Sequence, residues 1–260
     1  MSTQKPRTLL RIEYENAAEA YLKRLKLRHF MEAAAQGKQR EITLESLALV
    51  RARRPDVQVF NELLVQYPRR GSRNIGQVVP DNMVVIWPEP IRVSGSYDLP
   101  LQPVGPFWML EYVSKYNQRK DYEDNMQKYE RDLKVPYYLL FYPDAGDLTL
   151  YHLRGRKYRS VPPNEQGRHA IEPLDVEVAL LDDWVRFWYK GELLSLPADL
   201  QRDLDETRRQ LRRMRRQAWE QTRRAEEQAR RADAAEQARR AAEEEIQRLR
   251  AELERMRGAN

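Results

Sequence analysis

The sequence predicts an α+β domain, a mixed sheet with flanking helices, followed by a long charged helix. Two observations predict it. Three short apolar runs, residues 83–87, 107–113 and 137–142, have the length and aromatic or β-branched content of strands buried on both faces. Between residues 198 and 257 there is neither proline nor glycine, and apolar residues recur with a seven-residue period.

The elements follow in order. Residues 1–27 read as an N-terminal helical arm, and residues 13–35 read as helical, with Ala17, Ala18, Ala20, Tyr21, Leu22 and Leu25 recurring at helix spacing. Gly37 reads as a break. A second helix follows, with Thr43 as its N-cap and Leu44, Leu47, Ala48 and Val50 on one face; Pro55-Asp56 ends it. Residues 57–67 read as one strand, with Val57, Val59, Leu63, Val65 and Tyr67 set among polar residues. The basic loop 69–74 offers Arg69, Arg70 and Arg73 as candidate phosphate contacts.

Strand 83–87 follows Pro80-Asp81-Asn82, and the proline-rich stretch 88–106 reads as a loop. After strand 107–113, residues 120–134 read as a helix with Tyr122, Met126, Tyr129 and Leu133 on one stripe, stopped by Val135-Pro136. Strand 137–142, a turn at 143–147 and strand 148–153 form a hairpin, and short strand-like pieces continue to Trp188. Tyr137, Tyr138, Phe141 and Tyr142 read as core. The order strand, strand, helix, strand, hairpin argues for a mixed sheet covered by helices, within a domain spanning residues 28–195.

Pro197 opens the tail, and residues 199–257 read as a coiled coil. The a positions are Leu204, Leu211, Ala218, Ala225, Ala232, Arg239, Ile246 and Leu253. The d positions are Thr207, Met214, Gln221, Gln228, Ala235, Ala242, Leu249 and Met256. The seam is apolar at both ends and weak in the middle. A helix of this length spans roughly 80–90 Å at 1.5 Å per residue. It predicts a homo-oligomer; a solitary helix held by i,i+4 Glu/Arg pairs and a helix paired with another protein are the alternatives.

Composition narrows the chemistry. The 260 residues carry a net charge of +6, from 46 Lys plus Arg against 40 Asp plus Glu. Residues 198–260 hold 17 Arg and no Lys against 14 acids, a net of +3, so the rest of the chain also carries +3. Binding to nucleic acid therefore requires that cations be gathered locally. The absence of cysteine excludes disulfides, thiolate zinc sites, iron–sulfur clusters and cysteine nucleophiles. His29, His152 and His169 are too scattered for a histidine zinc site. No run approaches 18 apolar residues and the first residues lack a signal-like core, so the expected setting is cytoplasmic, without membrane insertion.

Two acids stand where chemistry is expected. Asp81 opens one buried strand, and Glu111 lies inside another, in Trp108-Met109-Leu110-Glu111-Tyr112-Val113-Ser114. A carboxylate in an apolar strand is costly unless paired, protonated or metal-bound. Glu111 paired with an arginine such as Arg92, and Asp81 accepting backbone N–H groups, are the structural alternatives. Acids on neighbouring strands can also converge on one Mg²⁺, which takes hard oxygen ligands plus water and substrate phosphate.

Pro80-Asp81, Leu110-Glu111-Tyr112-Val113-Ser114, Asp121, Tyr129, Val135-Pro136-Tyr137-Tyr138-Leu139 and Pro143-Asp144, in that order, resemble the Uma-two endonuclease family of the PD-(D/E)XK superfamily. The resemblance covers roughly residues 28–192. It implies a restriction-endonuclease-like fold and cleavage of DNA phosphodiester bonds dependent on Mg²⁺ or Mn²⁺. It makes Asp81 and Glu111 the metal ligands and catalytic acids, with Glu32 as an accessory acid. The superfamily lysine, two residues after the glutamate in the simplest pattern, is replaced by Val113. Relatives carry a lysine four residues after the aspartate matching Asp121, and that position is Asn125. Lys115, Lys120 and Lys128 are the substitutes, with Lys120 preferred. The sequence thus leaves two readings: a metal-dependent DNA endonuclease dimerised by its tail, or an impaired nuclease fold serving as a nucleic-acid-binding or scaffold module.

Overall fold

The structure, a computed structural model, describes residues 5–25, 34–69, 71–72, 74–113 and 120–258. It divides into two compact units, Met1–Leu196 and Pro197–Asn260.

The first unit is built on a six-stranded sheet of order β1-β4-β6-β7-β8-β9. These are β1 (Val57–Asn61), β4 (Asn82–Ile86), β6 (Trp108–Tyr112), β7 (Tyr137–Tyr142), β8 (Asp147–Arg154) and β9 (Lys157–Ser160). Within this sheet β6 and β7 pair in parallel, and the other described pairs are antiparallel. A parallel pair needs a crossover, and the chain between β6 and β7 supplies it with a helix. A three-stranded sheet holds β2 (Leu64–Pro68) between β3 (Ile75–Val78) and β5 (Ser96–Asp98). A four-stranded antiparallel sheet runs β10 (His169–Ile171), β11 (Val176–Leu181), β12 (Trp184–Tyr189) and β13 (Glu192–Leu193). Two helices precede the strands, α1 (Arg7–Leu22) and α2 (Ala34–Arg53).

Strand alternation sorts the core into two faces. Val84, Trp108, Leu110, Tyr112, Leu139 and Phe141 point to one face, where α2 and the four-stranded sheet cover them. Met83, Val85, Met109, Val113, Tyr138 and Leu140 point to the other, toward the three-stranded sheet and the crossover helix. At about 25 cal/mol per Å² of apolar surface, each buried Leu or Phe contributes roughly 1.5–3 kcal/mol, so both faces drive folding.

Several sequence expectations are corrected. The first helix ends at Leu22 rather than 35, and residues 26–33 lie outside the described part. Gly37 does not break the chain: α2 runs through it. Thr43 is therefore no N-cap but a buried mid-helix residue, its hydroxyl bonded to side chains across the core. The single strand expected at 57–67 is two strands in different sheets, divided at Glu62, which has φ 47°. The 88–106 loop contains β5.

The crossover helix also departs from expectation. It is wide, with π-type turns at Lys120–Asn125 and Lys128–Leu133. A wider turn advances the inward stripe by about four residues, so Asn125, Tyr129 and Leu133 are buried while Met126 is only half-buried. Lys134, in the left-handed region at φ 51°, ends the helix.

The second unit is one helix, α3 (Pro197–Gly258), about 93 Å long at 1.5 Å per residue. Its a and d residues Leu204, Leu211, Met214, Ile246 and Leu249 are all exposed in the single chain. Four i,i+4 pairs, Arg216–Glu220, Arg231–Glu227, Arg239–Glu243 and Arg240–Glu236, support it from outside the seam's apolar positions or beside them, at about 0.2–0.5 kcal/mol each. No helix among the described residues is long and apolar enough to cross a membrane.

In the β2–β3 hairpin Gly76 faces Tyr67, and a Cβ at Gly76 would lie 2.3 Å from the buried tyrosine ring. Gly76→Ala is expected to lower stability by about 1–3 kcal/mol, the usual cost of overpacking. Urea unfolding of the two proteins measures it; equal midpoints would show that the hairpin relaxes freely.

Candidate active site

Register brings the two acids together. In the β4–β6 pair Asn82 faces Leu110 and Met83 faces Met109, so one step further along the same register Asp81 stands opposite Glu111. Both share the parity of Met83 and Met109, hence the face covered by the crossover helix. The pair is cross-linked by its own backbone. The Asp81 N–H donates to Glu111 Oε2 at 3.3 Å, and the Tyr112 N–H donates to Asp81 Oδ2 at 2.6 Å. The Asp81 carbonyl accepts the Glu62 N–H at 3.2 Å, which ties the site to the turn between β1 and β2.

Glu111 is 2% exposed, so its carboxylate depends on donors from the protein. Oε1 accepts the Tyr129 hydroxyl at 2.5 Å and the Asn125 amide at 2.9 Å. Both donors are fully buried on successive inward turns of the wide helix. Burial, and next the negative charge of Glu111, push the Tyr129 hydroxyl well above the usual tyrosine range. It is therefore a neutral donor at neutral pH. Lys128 Nζ donates to Asn125 Oδ1 at 3.3 Å, continuing the chain of donors toward the helix surface. Arg92 is exposed, and the Asn125 amide and the Tyr129 hydroxyl are among the groups that hold Glu111.

On the opposite face a second network fixes the strand ends. The Tyr112 hydroxyl bridges Thr43 Oγ1 and Asn82 Oδ1, each at 2.7 Å. Gln36 Nε2 donates to the Tyr112 carbonyl at 2.8 Å, and Gln39 bonds both the N–H and the carbonyl of Val185. Helix α2 thus clamps the strand that carries Glu111. Burial pushes the Tyr112 hydroxyl well above its ordinary range, with Thr43 opposing and Asp81 reinforcing the shift.

The family model named Uma2, described as "Putative restriction endonuclease", matches residues 31–182, more than half of the chain. The chain belongs to the Uma2 family. Its first unit is an α+β domain with mixed sheets, and the long helix α3 follows it in sequence. A solved structure titled a "putative nuclease belonging to DUF820", from Anabaena variabilis, is 15% identical. It covers 55% of this chain and 75% of its own, with a TM-score of 0.42. No curated protein matches.

The residues expected from the sequence fall as follows. Asp81 and Glu111 converge. Lys120 opens the wide helix, and its side chain lies outside the described part, as do Lys115, Glu32, Arg70 and Arg73 altogether. Arg69 is exposed beyond the end of β2. Asn125 touches Glu111 directly. Thr43, Asn82 and Gln36 escaped sequence reasoning, because single polar residues in apolar segments carry no periodic signal.

Among the described residues no group of three acids or histidines converges on a metal position. The donor chemistry nevertheless fits a hard cation such as Mg²⁺. Two carboxylates on adjoining strands, each steadied by N–H or O–H donors, match an ion that takes one or two carboxylates and completes its shell with water and phosphate.

Tyr129→Phe removes one donor from a buried carboxylate. Its expected cost is about 1–3 kcal/mol of stability, the penalty for a charged acceptor losing a partner in a dry site. Thermal unfolding at pH 7 measures it; an unchanged midpoint would mean that Glu111 is held well enough without the Tyr129 hydroxyl.

Proposed function

We propose that this protein is a metal-dependent endonuclease that hydrolyses phosphodiester bonds in DNA and works as a dimer joined through α3. The observation that carries the reading is the opposition of Asp81 and Glu111 at the end of the β4–β6 pair, with Glu111 buried against Asn125 and Tyr129. Such a constellation costs stability, and a structural role alone would be served better by apolar residues. Asp81 and Glu111 would hold Mg²⁺ or Mn²⁺, which when bound lowers the pKa of a water and stabilises charge on the phosphate.

The chain's own groups fix the reacting geometry. Tyr129 and Asn125 lock the Glu111 rotamer, and the Tyr112 N–H locks Asp81. Water adds to phosphorus, the bond from phosphorus to the leaving sugar oxygen breaks, the water gives up a proton and the leaving oxygen takes one. Lys120 and Lys115 are the proposed cations beside the scissile phosphate. The setting proposed is the cytoplasm.

One observation favours a second reading, an impaired nuclease fold that binds or scaffolds: the buried amide of Asn125 stands in the family's lysine position. Plasmid nicking in Mg²⁺ and in Mn²⁺ separates the two. The wild type is expected to nick, and Asp81→Asn with Glu111→Gln to lose at least about a hundredfold of the rate, the scale set by removing groups that stabilise the transition state. Equal nicking by both proteins would sink the site assignment. An inactive wild type with an active Asn125→Lys variant would establish the second reading.

The tail makes a separate claim. Ile246→Asn with Leu249→Asn places two amides in the better-packed end of the seam and is expected to shift sedimentation from two chains toward one. A wild type that sediments as a single chain would remove the dimer.

A further inference from the structure

A groove of about 1060 Å³ lies on the outer side of the crossover helix. Its walls come from the end of α1, the β2–β3 hairpin, the helix itself and the β8–β9 turn. Among the described residues six cations line it: Arg24, Arg69, Lys128, Arg131, Lys134 and Arg156. Three acids accompany them, Asp124, Glu130 and Asp132. Glu130 is engaged with β9, accepting Lys157 Nζ at 3.0 Å and the Tyr158 N–H at 2.9 Å. The groove therefore gathers a net +3 within one concavity, equal to the whole surplus of residues 1–197. This is the local concentration of cations that average composition left open.

Its inner end adjoins the candidate site. Lys128 lines the groove and also bonds Asn125, which holds Glu111. Four segments distant in sequence supply the cations, so the fold, rather than one basic loop, creates the positive field. The groove is at or beyond the size of pockets that enclose small molecules, about 300–1,000 Å³. Its lining tyrosines offer no open ring for stacking a base: Tyr67 is 2% exposed and Tyr21 is half-buried. Single-strand binders stack bases on exposed aromatics, whereas duplex contacts go largely to phosphate.

We infer that this groove is the seat of one phosphodiester backbone of duplex DNA, leading along the crossover helix to the carboxylates. Lys128 is its innermost cation, and Arg131, Lys134 and Arg156 track the strand away from the site. The inference rests on the nuclease reading for its direction, but its readout is binding and needs no cleavage.

The test is fluorescence anisotropy of the full chain with a labelled duplex of about 20 base pairs, without divalent cations, across a salt series. Arg131→Glu with Arg156→Glu is compared with Arg51→Glu and Arg92→Glu, an equal charge change at exposed positions outside the groove. The groove pair is expected to weaken binding at least about tenfold and to lower the salt slope by about one for each phosphate that is no longer neutralised. The control pair is expected to change affinity less than threefold. Circular dichroism confirms that each variant is folded, and Arg131→Gln with Arg156→Gln repeats the test if the charge reversal disturbs folding. Equal weakening by the two pairs, no weakening by either, or tighter binding of single-stranded RNA than of duplex would overturn the inference. Asp81→Asn with Glu111→Gln should bind at least as tightly as the wild type. If DNA binds through the groove and nothing is nicked, the nuclease reading alone fails. If nicking needs the two acids but ignores the groove pair, the groove alone fails.

Discussion

A carboxylate placed inside an apolar strand dictates what must surround it. Glu111 sits between Leu110 and Tyr112 in the middle layer of the domain, and water does not reach it. One helix turns an amide and a hydroxyl onto the same oxygen, while a neighbouring strand contributes a backbone N–H. The wide helix, the strand register and the clamp from α2 together position these groups.

Much of this was legible in the chain. The three apolar runs are the central strands β4, β6 and β7, because residues buried on both faces leave a continuous signal. The two acids stood out by the same contrast, and the antiparallel register explains why they meet. The helix boundaries were less legible. Gly37 and Thr43 carry the local marks of a break and a cap, yet tertiary burial overrode both, since Thr43 gains bonds to Tyr112 and Gln39 inside the core. The split at Glu62 was hidden because a left-handed residue other than glycine or asparagine gives no compositional warning. The stripe Tyr122, Met126, Tyr129, Leu133 assumed ordinary α-helical turns; in the wide helix Asn125, Tyr129 and Leu133 form the inward row, and Asn125 reaches the acid.

Charge is deployed in two ways in this protein. In α3 arginine and glutamate alternate along one helix and neutralise one another locally, as the i,i+4 pairs require. In the first unit cations from four separate segments converge on one concavity. The same net charge thus gives a solvated rod in one unit and a directed field in the other, a distinction invisible to composition.

Tyr129 joins more than the acid to the helix. Its carbonyl accepts the N–H of Lys134 and, at 3.0 Å, of Val135, while the Val135 carbonyl accepts the Tyr158 hydroxyl from β9 at 2.8 Å. β9 is the outermost strand of the six-stranded sheet. The support of Glu111 is therefore in series with a sheet edge, the part of a sheet with the fewest neighbours. The carboxylate is buried as deeply as the core, yet one of the groups that hold it is tied through two bonds to an edge strand, the kind of element in which local opening begins.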